Sequence, residues 1–338
     1  MAGLIVLLAG MQACATEPPQ TLADQWPRTD FSRITVDPAE ITAGGPGKDG
    51  IPAIDNPRFV SLDEMSQLGK EEPVIGMVVD GEAKAYPLRI LTWHEIVNDE
   101  IGGIPVAVTY CPLCNTSIVF DRRLEGRVLD FGATGLLRHS DLIMYDRQTE
   151  SWWQQYSGDA IVGALTGKQL STVPARLESL EDFRWRAPQG LVLVPNDPRA
   201  RDYGANPYAG YDRSATPFMF SGKMPDGVKP MTRVVAIEEL AFSLPYLREK
   251  EVIEQDGLRI TWHAGQNSAL DKRSIRRGRD VGNVIVSRDG SDIPYVVTFA
   301  FAFFAFNPDG RLVMSESETI MQKTGATGLE PTSSRQRF

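Results

Sequence analysis

Turn residues cut this chain into short pieces, and that punctuation constrains its fold more than any other feature. From residue 74 onward, short apolar and β-branched runs alternate with Asp, Gly, Pro and Asn. The turn signals recur about every 8–12 residues, a spacing that suits short strands in an all-β or β-rich protein. Residues 74–79 turn at Asp80-Gly81 into residues 82–86, the sequence signature of a tight hairpin. Residues 87–91 read as a helical turn, and residues 94–98 as a strand returning through 99–103 to residues 104–110. Residues 117–120, 142–145, 152–156 and 160–162 continue the pattern. The expected fold class is mainly β (a β-rich α+β fold), packed as one compact unit.

Internal similarity points to two related halves from a duplication. Residues 74–79 with Ala85-Tyr-Pro-Leu88 resemble residues 234–237 with Ala241-Phe-Ser-Leu244, and residues 183–190 resemble residues 304–310. Between them, residues 106–116 align with residues 258–268, which sets Cys111 and Cys114 against His263 and Gln266. The implied order begins with a signal or lipoprotein segment at 1–15 and a tether with an irregular lead-in at 16–55. A first β-rich half at 56–195 carries the cysteines, and a loop-rich linker at 196–230 follows. A second, degenerate half at 231–325 and a flexible tail at 326–338 complete it.

The 338 residues, 42% of them hydrophobic, suffice for a real core. A formal net charge of −9 argues against nucleic acid, whose phosphates call for clustered Lys and Arg. The run at 296–306 is too short to cross a bilayer. So is the apolar run at 1–15, which ends in small residues and suits the core of a secretion signal, although no Lys or Arg precedes it. Cleavage at Ala13-Cys14-Ala15 would remove Cys14. In the preferred alternative Cys14 carries a lipid as the first residue of a mature lipoprotein, tethered by the polar stretch at 16–20. The expectation is an exported protein, periplasmic or extracellular, that meets the membrane only through this N-terminal lipid.

Of the three cysteines, two lie together in Tyr110-Cys-Pro-Leu-Cys-Asn-Thr116. Such a pair can close as a disulfide, exchange with another disulfide, or grip a soft metal ion. As a staple it is poor, because bridging so short a loop restrains little of the unfolded chain. A single Cys-x-x-Cys is only moderately specific for metal. His94 is the best third ligand: on the strand read above it returns to within about 10 Å of Cys111. His139 and the thioether of Met144 are further candidates, while a total of three His speaks against a multi-His hydrolase centre. Two thiolates, an imidazole and a thioether are soft donors that favour copper(I), with zinc as the alternative.

Ser140, Asp141 and Arg147 are candidates for a pocket rim, whereas Asp146 and Thr149 suit the backbone needs of a turn. Strand alternation would bury one of Trp152 and Trp153 and expose the other; an exposed Trp there, with Trp152 the candidate, would mark a binding face. No P-loop, Gly-x-Gly-x-x-Gly or Gly-x-Ser-x-Gly motif survives inspection, so no nucleotide cofactor is expected.

Ala85-Tyr-Pro-Leu88, His94-Glu-Ile-Val-Asn-Asp99, Tyr110-Cys-Pro-Leu-Cys-Asn-Thr116 and the stretch at 140–151 together resemble an uncharacterised family of exported bacterial and archaeal proteins, number 3179 in the domain-of-unknown-function series. Trp185, Arg201-Asp-Tyr203 and Asn206-Pro-Tyr208 extend the resemblance over most of the mature chain. It implies export and favours His94 over His139 as a site residue; it brings no activity with it. The leading expectation is an exported protein holding a soft metal ion, copper favoured, through Cys111, Cys114 and His94. One alternative is thiol–disulfide exchange with a redox protein partner, Cys111 attacking and Cys114 resolving. The other is a non-catalytic binding module whose bridge is structural.

Overall fold

The computed structural model describes residues 22–255 and 257–321. The signal segment, Cys14 and the tail at 326–338 lie outside the described residues. The described chain is mainly β, its small sheets packed compactly in a propeller-like arrangement.

Two sets of elements form the centre. The first begins with β3 (Pro73–Val79), β4 (Glu82–Pro87) and α2 (Leu88–His94), followed by the meander β5 (Ile96–Ile101), β6 (Ile104–Cys111) and β7 (Thr116–Asp121). It closes with β14 (Arg176–Ser179), α3 (Leu180–Arg186) and β15 (Leu191–Val194). The second set runs β16 (Arg233–Ile237), β17 (Leu240–Ser243) and α4 (Leu244–Lys250), then β18 (Val252–Gln255), β19 (Leu258–His263) and β20 (Asn283–Arg288). After β21 (Ser291–Asp292) it closes with β22 (Val296–Phe299), α5 (Ala300–Phe306), β23 (Arg311–Ser315) and β24 (Glu318–Met321).

The two sets share one topology. In the order β14-β3-β4-β15 the first two pairings are antiparallel and the last is parallel, and β22-β16-β17-β23 repeats this pairing for pairing. Each helix after the hairpin stops at a glutamate in the left-handed region, Glu95 and Glu251, both at φ 58°. The chain then turns into the meander, where the N–H of Tyr110 donates to Glu95 O (2.8 Å) and that of Trp262 to Glu251 O (2.7 Å). The sets also interlock: β7 packs against β22, and β20 against β14. Asn115 Nδ2 donates to Val297 O (3.1 Å), and Gln266 Nε2 to Leu177 O (3.0 Å), so each set's turn grips the other set's strand. One apolar cluster, including Ile75, Val108, Val235 and Ile260, spans both.

The first set is interrupted by the hairpin β8 (Arg123–Leu124) and β9 (Arg127–Val128), and by β10 (Phe131–Arg138), β11 (Asp141–Asp146), β12 (Trp152–Gln154) and β13 (Ala160–Val162). Within the stretch at 16–55, read as a tether and irregular lead-in, the described part is packed onto this layer. After α1 (Leu22–Gln25), β1 (Ile41–Ala43) pairs with β10, and β2 (Arg58–Ser61) pairs with β15. Trp26 is buried between Tyr145 and Trp152, at ring distances of 4.9 and 5.3 Å. That layer also overturns the expected alternation. Trp152 is covered by the lead-in and Trp153 by Phe131, so both are buried, and the exposed tryptophan is Trp185 on α3 (86% exposed).

Candidate metal centre

The β6–β7 turn builds one wall. Cys111 is the last residue of β6 and pairs with Thr116, leaving Pro112-Leu-Cys-Asn115 to reverse the chain. Asn115 takes the left-handed conformation (φ 56°) that closes the turn, a role its short polar side chain tolerates. The second set then fixes the turn: Thr298 Oγ1 and Phe299 N–H both donate to Cys114 O, at 2.9 and 3.2 Å.

The β10–β11 turn builds the opposite wall. His139 and Ser140 both have positive φ (52° and 67°), the pattern of a two-residue type I′ turn, here made without glycine. Left-handed backbone in such residues costs free energy and concentrates at functional sites. The turn directs two carbonyls at the sulfurs: Cys111 Sγ lies 3.6 Å from Ser140 O, and Cys114 Sγ 3.9 Å from His139 O. The next residue, Asp141, brings its carboxylate to the same place. One Sγ from each cysteine and a carboxylate oxygen of Asp141 all lie within 4.8 Å of one another, and all three residues are buried.

Asp141 is held by Gln154 Nε2 (2.7 Å) and the Tyr156 N–H (2.9 Å), both donating to Oδ2. A second carboxyl, Glu95, is buried (7% exposed) and near enough for its charge to raise Cys111, while Asp141 raises Glu95. Burial pushes Glu95 up to about 8, with Asp141 adding to the rise. Burial also lifts Asp141 to about 6, outweighing its hydrogen bonds from Gln154 and Tyr156. Burial raises the Cys111 thiol, against a downward pull from its hydrogen bond with Cys114, and raises Cys114 far more. Among the described residues no Lys, Arg or His forms an ion pair with Glu95 or Asp141.

Three tyrosines cover this centre, Tyr156, Tyr208 and Tyr211, whose hydroxyls are raised first by burial and then by these acids and thiols. The 207–219 segment is latched down by Ser140 Oγ, which donates to Phe218 O. Beside the latch, Leu113, Tyr208, Tyr211 and Phe218 line a cavity of about 720 Å³.

Most of the other predicted site residues stand elsewhere. His94 is the last residue of α2 rather than part of a strand; its Nδ1 lies 2.8 Å from Pro52 O and its Nε2 2.8 Å from Tyr203 OH, so both ring nitrogens are engaged outside the group. Ile96 pairs with Thr109, which leaves Glu95, not His94, opposite the end of β6. The His139 ring points to Glu40 (3.4 Å) and Phe306, and only its carbonyl faces the sulfurs. Met144 is buried in the apolar cluster that also holds the cysteines. Arg147 pairs with Asp55 at 2.8 Å, and Asp146 accepts from the Thr149 N–H (2.6 Å), closing its own turn. Glu95 is the residue that the sequence reading missed. Its signal was its equivalence to Glu251 as the break between helix and meander.

Fold and site together define a mainly β protein of two topologically matched sets of elements, with a buried dithiol–carboxyl centre at their junction. A family model described as "Protein of unknown function (DUF3179)" matches residues 48–310, and the chain belongs to that family. No curated protein and no solved structure matches it.

Proposed function

We propose that this is an exported protein that holds one metal ion of soft or borderline character through Cys111, Cys114 and Asp141. The observation that carries this reading is the convergence of their three ligand atoms within 4.8 Å in a buried place. Zn–S bonds of about 2.3 Å and Zn–O bonds of about 2.0 Å set tetrahedral ligand atoms about 3.5–3.8 Å apart, so a small inward movement would close the site. Two thiolates and a carboxylate carry the negative charge a cation would offset, and the buried Glu95, whose charge reaches Cys111, would add to it. With both ring nitrogens of His94 engaged elsewhere and Asp141 in the group, the donor set shifts the preference from copper(I) towards zinc, because a carboxylate is a hard ligand and zinc accepts both hard and soft donors. Binding would displace protons from the thiols and carboxyls to solvent.

Thiol–disulfide exchange with a redox partner is the second reading. The free thiols and the hydrogen bond that lowers Cys111 relative to Cys114 favour it, with Cys111 as the attacking sulfur. Burial speaks against it, since the thiolate is the nucleophile and both thiols are raised. The same free thiols speak against a module with a structural bridge.

The test is metal content per chain, by mass spectrometry, of anaerobically purified, untagged protein beside a Cys111→Ser/Cys114→Ser variant. Near-stoichiometric zinc or copper that disappears in the variant supports the site. Protein that stays empty when offered zinc and copper(I) overturns it.

A further inference from the structure

A second cavity, about 760 Å³, lies one aromatic layer away from the cysteines. The guanidinium of Arg233 sits 5.3 Å over the ring of Phe299, the residue whose N–H donates to Cys114 O. Five cations line this cavity: Arg213, Lys229, Arg233, Arg248 and Arg279. Its lining carboxylates are Asp212 and Asp280, in a chain whose formal net charge is −9. Such a local excess of the minority charge calls for an explanation.

Some of these charges are already spent. Arg213 pairs with Asp271, and Arg279 reaches Asp212 at 3.1 Å. Asp280 accepts from the backbone N–H groups of Gly265 and Gly282. Arg248 and Lys229 keep their charge free, and Arg233, which shares Asp212 with Arg279, keeps unused donors. Arg248 lies over Trp262 at 5.5 Å, and neither it nor Lys229 has a carboxylate partner among the described residues. Arg233 is only 7% exposed, and its Nη2 meets Asp212 (3.3 Å) and Ser268 Oγ (2.9 Å). Its Nε is buried without a partner, and its Nη1 makes no hydrogen bond among the described residues. A buried guanidinium with unused donors is costly unless something accepts from it.

We propose that this cavity is a binding site for a small organic oxyanion, a carboxylate or phosphoryl group carried on an apolar body. The oxyanion would sit among Arg233, Arg248 and Lys229, where the guanidinium fork matches paired oxygens, and the body would lie on Leu244 and Pro245. A pocket of this size, part apolar and with a few convergent charges, suits a small molecule. A further basic cavity of about 740 Å³ supplies the control. There Arg89 and Arg276 are spent on Glu72, and Arg273 is exposed.

The experiment is calorimetric titration of the full chain with phenyl phosphate and, separately, with benzoate. Saturable one-to-one binding of either probe is expected, weakened by about tenfold or more in Arg248→Ala and in Lys229→Ala and unchanged in Arg273→Ala. Which probe binds more tightly tells phosphoryl from carboxylate. Both variants change exposed side chains, so folding is preserved and checked by circular dichroism. The proposal is overturned if neither probe saturates, if the Arg248→Ala/Lys229→Ala protein binds as well as wild type, or if Arg273→Ala loses as much. None of these results depends on metal at the cysteines.

Discussion

The N–H of Tyr110 donates to the carbonyl of Glu95 at 2.8 Å, tying a residue with a buried carboxyl to the end of β6, where its charge raises the Cys111 thiol. Because Glu95 is held in left-handed backbone at the end of α2, its position is set by the chain path and does not depend on an ion. The metal-free protein therefore carries a carboxyl raised to about 8 from an ordinary 4.5. Between those values the folded state keeps a proton that the unfolded state has released. The stabilisation is fully present below about 4.5 and is lost as pH rises through about 8, on the order of a few kcal/mol. Asp141, raised to about 6, acts in the same direction over its lower window. Urea denaturation with a chelator present should show lower stability at pH 8.5 than at pH 5, and Glu95→Gln should flatten the slope. Parallel profiles for the two proteins would refute the assignment.

The thiols supply a separate prediction. Cys111 and Cys114 are 1% and 0% exposed and both raised by burial, so in the metal-free protein they should react with iodoacetamide far more slowly than free cysteine at pH 7.5. Cys111 should react before Cys114, whose thiol is raised more. Mass spectrometry of timed samples measures both rates. Cys111 labelling as fast as free cysteine would favour exchange over metal holding.

Asp141 is the residue whose change best separates ligand from scaffold. In Asp141→Asn the amide oxygen can still accept from Gln154 and Tyr156, so the fold should survive with a loss of about 1–3 kcal/mol. Metal affinity should fall by about 10-fold or more, since an anionic donor is replaced by a neutral one. Competition with a chromogenic chelator reads the affinity, and denaturation reads the stability. Unchanged affinity would remove Asp141 from the ligand set.

What the sequence disclosed follows the range of its signals. The Asp80-Gly81 hairpin was legible because its two residues must take positive φ (47° and 82°), a local requirement written into residue choice. The order of strands within the sheets was not, because β14 and β15 join β3 and β4 from far along the chain. His94 was misplaced because α2 has seven residues, too few for helical periodicity to show, and it ends on a glutamate where glycine would have signalled the stop. The burial of Trp152 depended on Trp26, far back in a lead-in whose composition resembles a tether. Asp141 entered as one of several rim candidates, but its convergence with cysteines from another turn is a tertiary fact, and no local pattern encodes it.

The matched topology yields a last prediction, and it also corrects one alignment. Similarity of composition had set Phe183 against Phe304, whereas the structure places Phe183 and Phe303 at the same point of α3 and α5, each seven residues before a glycine. A Cβ on Gly190 would meet Phe183 Cε1 at 2.7 Å and Ala187 O at 3.0 Å; one on Gly310 would meet Phe303 Cζ at 2.6 Å and Asn307 O at 2.8 Å. Both rings are fully buried, so neither can swing away, and the backbone oxygens cannot yield cheaply. Gly190→Ala and Gly310→Ala should therefore each destabilise by about 1–3 kcal/mol, as overpacked cores do. Chemical denaturation of both variants tests this. Wild-type stability in either one would show that the two helix–strand corners are not built alike.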